Sequence, residues 1–343
     1  MKLLLIGYSR TAQRRVLPAL AQVNLAHVDV ASRTRAGSVT LPAGVSGRVF
    51  DDYESALAES RADLVYVSTV NSTHAAWTEQ ALRHGYHVVV DKPACTSLED
   101  AKRLVDLARR QQRCLAEATV YPYHPQIQAI RLAFSEAHSQ PTRLAATLSF
   151  PPLPAGNFRY RKALGGGALW DLGPYAVTPG RLFFGAEPEE VFCRITGWGD
   201  EVETDFSVLA TYGGGRAMVG HFGFHTGYCN RLDVLGPGVT LAVERVFTTA
   251  PDLASQVHVN QHDQPRTITI APADSFACFL RAVMAAIEAG QFEPLAEDML
   301  SDARGLDRLR RACELGDRPS PQPSPRGGEG ASSPRPGRAR GRG

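Results

Sequence analysis

At 343 residues the chain is longer than a single hydrophobic core normally serves, so two domains are expected. With 43% hydrophobic and 21% charged residues it has an ordinary globular balance, and no stretch approaches the ~20 apolar residues of a membrane span. The formal charge of +2 includes six arginines in residues 316–343 that face only Asp317 and Glu329, so the body lacks the basic excess of a nucleic-acid binder.

The start, MKLLLIGYSR, has too short an apolar run for a signal peptide, and a cytoplasmic protein is expected. The six cysteines (Cys95, Cys114, Cys193, Cys229, Cys278 and Cys313) show no C-x-x-C pair and no clustered histidine. No metal site is expected, and all six are read as reduced, mostly buried thiols.

The run KLLLI (2–6) ends in Gly7 and has the continuous apolar character of a strand buried on both faces. A helix follows over 11–21, then strand-like runs at 28–32, 64–70 and 87–90, separated by helical stretches near 53–58 and 75–84. After Pro93, Ser97 opens a further helix, with Ser-x-x-Asp as a partial capping box and Leu98, Ala101, Leu104, Val105 and Ala108 on one face. Strands and helices in alternation predict a doubly wound parallel sheet with its ligand crevice at the C-terminal strand ends. Beyond Thr119 the pattern becomes strand after strand with Gly, Asp and Pro turns, which predicts a mostly antiparallel sheet. Two helices, 276–289 and 297–315, close the chain. The fold class is α/β: an N-terminal Rossmann domain over 1–119 and a C-terminal α+β domain with an open sheet over 120–315. Residues 316–343, rich in Arg, Gly and Pro, are expected to be disordered.

The first strand–turn–helix, Gly7-Tyr8-Ser9-Arg10-Thr11-Ala12, follows the dinucleotide fingerprint G-x-G-x-x-G/A with Ser9 at the middle glycine. The second strand ends Ser32-Arg33, where an NAD site usually has a carboxylate; an arginine there suits the 2′-phosphate of NADP(H). Thr69, Asn71 and His74 follow the third long strand and Asp91-Lys92-Pro93 the fourth, so both groups lie at the crevice. Pro93 restricts the backbone of Lys92 to an extended conformation.

These motifs, with the later GGGALWDLGPY (165–175), resemble the glucose–fructose oxidoreductase/inositol dehydrogenase (Gfo/Idh/MocA) family over roughly residues 2–313. The resemblance implies that Lys92 is the active-site lysine and that Asp171 and Tyr175 complete the polar site. Asp91 replaces the family's usual glutamate, and Tyr175 stands where inositol-type members carry histidine. YHPQ (123–126), FRYRKALGGGALWDLG (158–173) and FGFHTGYCNRLDVLG (222–236) are similar to the nucleotide-sugar 3-ketoreductase branch. Sugar dehydrogenases of free xylose, glucose or diols share Lys92 and Tyr175, and a non-catalytic NADP(H) sensor is a third reading. Arg159 is expected at the cofactor, and Tyr160, Phe224, His225, Tyr228 and Asn230 at the sugar, with a homodimer or homotetramer formed through the second sheet. His124 is read as structural or as a pocket wall.

Reduction of a ketone needs a proton source for the developing alkoxide. Lys92 beside Tyr175 is expected to lower the phenol's pKa and to polarise the carbonyl. Asp171 is expected either to orient Lys92 or to cap the helix after the glycine turn.

Overall fold

The computed structural model describes residues 1–316. The predicted basic tail lies outside them, apart from its first residue.

Six parallel strands form the first sheet: β1 (Leu3–Ile6), β2 (Val28–Ala31), β3 (Val49–Phe50), β4 (Leu64–Val67), β5 (His87–Val90) and β6 (Leu115–Glu117), in the order β3-β2-β1-β4-β5-β6. β1 is buried at all four positions because alternate side chains enter different layers. Leu3 and Leu5 pack in one apolar cluster and Leu4 and Ile6 in the other. This two-sided burial is what the uninterrupted apolar run encodes.

Helices α1 (Leu17–Gln22), α2 (Tyr53–Glu59), α3 (His74–Arg83) and α4 (Leu98–Gln111) connect these strands. α1 continues a π-wound turn, Ala12–Val16, and has Pro18 in its first turn. Ser97 caps α4 as expected, its hydroxyl accepting from the amide of Asp100 at 3.0 Å. α5 (Pro125–Glu136) starts at His124, whose Nδ1 accepts from the Gln126 amide at 3.2 Å, so His124 is structural.

The second sheet comprises β7 (Arg143–Ser149), β8 (Glu190–Trp198), β9 (Glu203–Tyr212), β10 (Arg216–Gly223), β11 (Cys229–Gly236), β12 (Val239–Glu244), β13 (Ser255–Gln261) and β14 (Gln264–Ile270). Its order is β14-β13-β12-β11-β7-β10-β9-β8, antiparallel except where β7 meets β10. Two helices on its inner face, α6 (Ala168–Asp171) and α7 (Gly173–Phe184), follow the glycine turn.

The last helices join the layers. α8 (Ser275–Glu288) puts Phe276, Phe279 and Leu280 onto the first sheet, on the side of Leu3 and Leu5. α9 (Glu293–Gly316) sets Ala296, Met299 and Leu300 against that sheet's other face and Leu309 in the core of the second sheet. Cys193 of β8 and Cys313 of α9 form a disulfide across 120 residues, correcting the expectation of six reduced thiols. Sequence spacing carried no sign of it, because the packing of α9 on β8 brings the two Cα atoms to 4.7 Å. Among the described residues no helix is long and apolar enough to cross a membrane.

Candidate active site

The site forms where the C-terminal ends of β1, β4 and β5 meet the glycine turn and the inner face of the second sheet. Gly7 adopts φ +95°, and a Cβ there would come within 2.3 Å of the Ser68 carbonyl oxygen, so only glycine passes. Ser9 closes the turn, its Oγ accepting from the Ala12 amide at 3.0 Å and bonding Ser68 Oγ at 2.7 Å. Ser68 and Tyr66 donate to the two oxygens of Asp91 at 2.6 and 2.7 Å. The expected cofactor residue Asp91 is thus held in place by β4 and the residue that follows it.

Lys92 leaves β5 towards the second layer. Its ammonium donates to the backbone carbonyl of Asp171 at 2.5 Å and to Oδ1 at 3.0 Å, and stands 5.1 Å from the centre of the Tyr175 ring. Arg159 donates from Nε to the other Asp171 oxygen at 2.7 Å. Burial alone would raise the Asp171 pKa, but Arg159 and Lys92 outweigh it and hold the carboxyl well below the usual range. Burial works to lower the Lys92 pKa, and Asp171 reverses this, so the amine is raised and stays charged. Asp171 therefore orients Lys92 and does not cap a helix: it ends α6, while Gly167 precedes that helix and Glu203 accepts from the Leu169 amide.

The three glycines permit this approach. A Cβ at Gly165 would lie 2.8 Å from Asn71 Cβ, and one at Gly167 would meet Glu203 at 2.3 Å. Asn71 Nδ2 donates to the Gly165 carbonyl at 2.9 Å and ties the two units together. His74 bridges the Pro93 carbonyl (2.8 Å) and the Thr69 carbonyl (3.1 Å), so it braces the loops that carry Thr69 and Lys92.

Tyr175 packs its ring against Tyr121 and Phe247, with centroids at 6.0 and 5.4 Å. Burial raises its pKa and outweighs the opposing effect of Lys92. This corrects the expectation of a lowered value: burial is the larger effect, and the Asp171 charge adds to it. A phenol so held is neutral and carries its proton at neutral pH.

A cavity of about 420 Å³ unites Ser9, Arg10, Thr11, Thr69, Asn71, His74, Asp91, Lys92, Arg159, Asp171, Tyr175 and Tyr228. Gly7, Ala12 and Pro93 shape the backbone behind it. Arg33 follows β2 as expected, lying over the rings of Tyr53 and Trp77, but its guanidinium is engaged by Glu54 at 2.7 and 2.9 Å. Ser32 Oγ accepts from the Arg35 amide and serves the turn.

Four expected sugar contacts do not line the cavity. Phe224, the residue after β10, is fully buried and stacked on Phe150, because its amide still pairs with the Thr204 carbonyl at 3.0 Å and holds it on the core side. Asn230 is buried and bonds Thr248 Oγ1 and the Phe247 amide, holding that segment rather than a ligand. The Tyr160 ring meets Phe224 edge-on and its hydroxyl accepts from the Leu153 amide. His225 is exposed outside the cavity.

The cavity walls include residues that sequence reading missed: Arg14, Arg15, Phe150, Phe158, Phe247, Thr248, Thr249 and Ser275. Arg15 donates to the Thr249 carbonyl at 3.1 Å across 234 residues, a pairing without local signature. The run Arg14-Arg15 on the helix that opens at the fingerprint was the available clue for those two.

A cradle for a dinucleotide on one wall and a buried ammonium–carboxylate–phenol group on the other define an oxidoreductase. The chain belongs to the GFO/IDH/MocA oxidoreductase family: residues 1–119 match its NAD-binding Rossmann fold and residues 128–241 its C-terminal domain. It is similar to the dTDP-3,4-didehydro-2,6-dideoxy-alpha-D-glucose 3-reductase of Actinomadura kijaniata, 32% identical over 310 residues that cover 89% of this chain and 93% of the relative. The D-xylose 1-dehydrogenase (NADP(+)) 2 of Haloferax volcanii is 28% identical over 318 residues, covering 91% and 97%. Among solved structures, a 3-ketoreductase from Actinomadura kijaniata in complex with NADP and TDP-benzene matches with a TM-score of 0.85 at 31% identity, covering 91% of this chain and 98% of that one.

Proposed function

We propose that the protein reduces a keto group, at C-3, on a nucleotide-linked deoxysugar, using NADPH. The observation that carries the reading is the Lys92 ammonium, held by Asp171 above the Tyr175 ring inside the cavity. The relatives support the substrate class, since one is named for a dTDP-linked deoxysugar and a solved 3-ketoreductase from the same organism holds NADP and TDP-benzene.

The residues present fit a dinucleotide: the Gly7 turn has no room for a side chain, and Ser9, Arg10 and Thr11 line the cavity directly after it. When bound, NADPH supplies the hydride. Lys92 polarises the ketone, and its fixed charge stabilises the developing alkoxide. Tyr175 keeps its proton at neutral pH and donates it through its hydroxyl to the developing alkoxide, a stronger base than a phenolate. Asp171 keeps Lys92 charged and aimed, and Arg159 offsets the remaining carboxylate charge.

A second reading, oxidation of a free sugar with NADP⁺, is favoured by the likeness to D-xylose 1-dehydrogenase. Calorimetry with the NADP⁺-loaded protein separates the two. The nucleotide-sugar reading expects dTDP to bind and to compete with the sugar nucleotide. Binding of xylose without any binding of dTDP overturns it.

A further inference from the structure

Glu117 is a buried carboxylate that the reaction as proposed does not use. It is the last residue of β6 and is 8% exposed. The β5–β6 ladder ends where Val90 pairs with Glu117, and beyond it the chain of β5 turns out of the sheet through Asp91, Lys92 and Pro93. The amide of Ala94, itself buried, therefore has no strand partner. Glu117 supplies one: its Oε2 accepts from that amide at 2.8 Å, and Thr119 Oγ1 donates to Oε1 at 2.7 Å. On the other side, His74 bonds the carbonyl of Pro93 at 2.8 Å. The segment carrying Lys92 is thus pinned from α3 and from β6, two residues from the ammonium.

The surroundings fix the carboxylate rather than expose it. The charges of Asp302 of α9 and Arg181 of α7 act on it, and it in turn acts on Cys95. Asp302 is itself paired with Arg181 at 2.5 Å. A buried amide left without an acceptor costs about 1–3 kcal/mol, which the segment can relieve by shifting. A shift of about 1 Å at a reacting group can cost about a hundredfold in rate.

We propose that Glu117 is a positioning residue for Lys92, acting through the reach of its two hydrogen bonds to Ala94 and Thr119. The inference rests on the reading of Lys92 as the carbonyl-polarising amine. Glutamine keeps both bonds, accepting from Ala94 and donating to Thr119. Aspartate keeps the charge but is one methylene short.

The test compares E117Q, E117D and E117A in the full chain with two readouts. One is kcat and KM for NADPH-dependent turnover. The other needs no substrate: the rate at which trace acetic anhydride acetylates Lys92, measured by mass spectrometry against Lys2 and Lys102 as internal references. E117Q is expected to stay within about twofold of the parent in both. E117D and E117A are expected to lose about tenfold or more in kcat with KM little changed, and to acetylate Lys92 several-fold faster. If E117A does not fold, the contrast between E117Q and E117D decides. A near-normal E117D beside an impaired E117Q would mean that charge, not reach, matters, and the proposal falls. Unchanged labelling of Lys92 in E117D also overturns it. Changed labelling with unchanged kcat would sustain the positioning and instead remove Lys92 from the chemistry.

Discussion

Lys92 and Asp171, 79 residues apart, meet through two contacts at once: the ammonium donates to the aspartate's carboxylate at 3.0 Å and to its backbone carbonyl at 2.5 Å. One contact sets the charge state and the other the position, because a backbone acceptor at the end of α6 cannot rotate away. The aspartate's second oxygen belongs to Arg159, so one buried carboxylate balances two cations.

Replacing Asp171 by asparagine therefore removes the counter-charge while keeping the shape. Two buried cations then share a neutral partner, and breaking a buried pair in this way costs about 3–5 kcal/mol. Thermal unfolding of D171N should show a Tm lowered by several degrees, and the Lys92 pKa should fall because burial is no longer opposed. A Tm equal to that of the parent would show that the pair is solvated and of little energetic weight.

Arg33 is expected to set cofactor choice. In this structure it pairs with Glu54 on a half-exposed surface, where such a pair is worth about 0–1 kcal/mol, so a 2′-phosphate can displace it. R33A should weaken NADPH by about ten- to a hundredfold, from the loss of charge-assisted bonds of about 1.5–3 kcal/mol, and leave NADH within about twofold. Fluorescence titration with both cofactors checks this, and equal losses for both would remove Arg33 from that role.

Stability should depend on pH through the buried acids behind the site. Burial and the nearby Asp302 raise Glu117 to about 7, and burial raises Asp302 to about 6. Both folded values exceed the unfolded ones, so the folded chain holds protons that the unfolded chain has released. Stability then falls as pH rises from about 4 to about 7. Asp171 acts in the opposite sense, but only as pH falls below its unfolded value near 4. E117Q removes the larger effect, so its Tm should match the parent near pH 5 and exceed it near pH 8. A gap of the opposite sign at pH 8 would contradict these values.

The outer face of the second sheet carries Phe192, Leu209 and Val219 side by side, since Leu209 pairs with both of the others across β8, β9 and β10. All three are exposed. A contiguous apolar row of this kind is expected to be covered by a second copy of the chain. L209D should convert the protein to monomer in sedimentation at micromolar concentration, and a parent that is already monomeric would remove the interface.

The core of the Rossmann sheet was readable because β1 and β4 are buried on both faces and so appear as unbroken apolar runs, while β3, two residues with Val49 exposed, and the three-residue β6 gave no such run. Lys92, Asp171 and Tyr175 were readable from a motif, not from physics: nothing in the spacing of 92 and 171 announces a 3.0 Å contact. The sugar pocket was misread where alternation was not followed. Phe224 and Asn230 look like polar or aromatic wall residues in a loop-rich stretch, yet Asn230 points inward from β11 and Phe224, just past β10, is packed into the core. Arg15 with Thr249, Glu117 with Ala94, and Cys193 with Cys313 are tertiary meetings between separate elements, invisible until the segment after β12, β6 and α9 are in place.

The most direct test is steady-state NADPH oxidation by the parent protein and by Y175F, with a dTDP-linked 3-keto-deoxysugar and with free sugars as substrates. The account predicts a kcat/KM for the nucleotide-linked ketone that exceeds any free sugar by about a hundredfold or more. It also predicts a kcat in Y175F lowered by about 10²–10⁴ with NADPH binding intact, as loss of a positioned proton donor requires. Equal or better turnover of free sugars, or near-full turnover by Y175F, would contradict it.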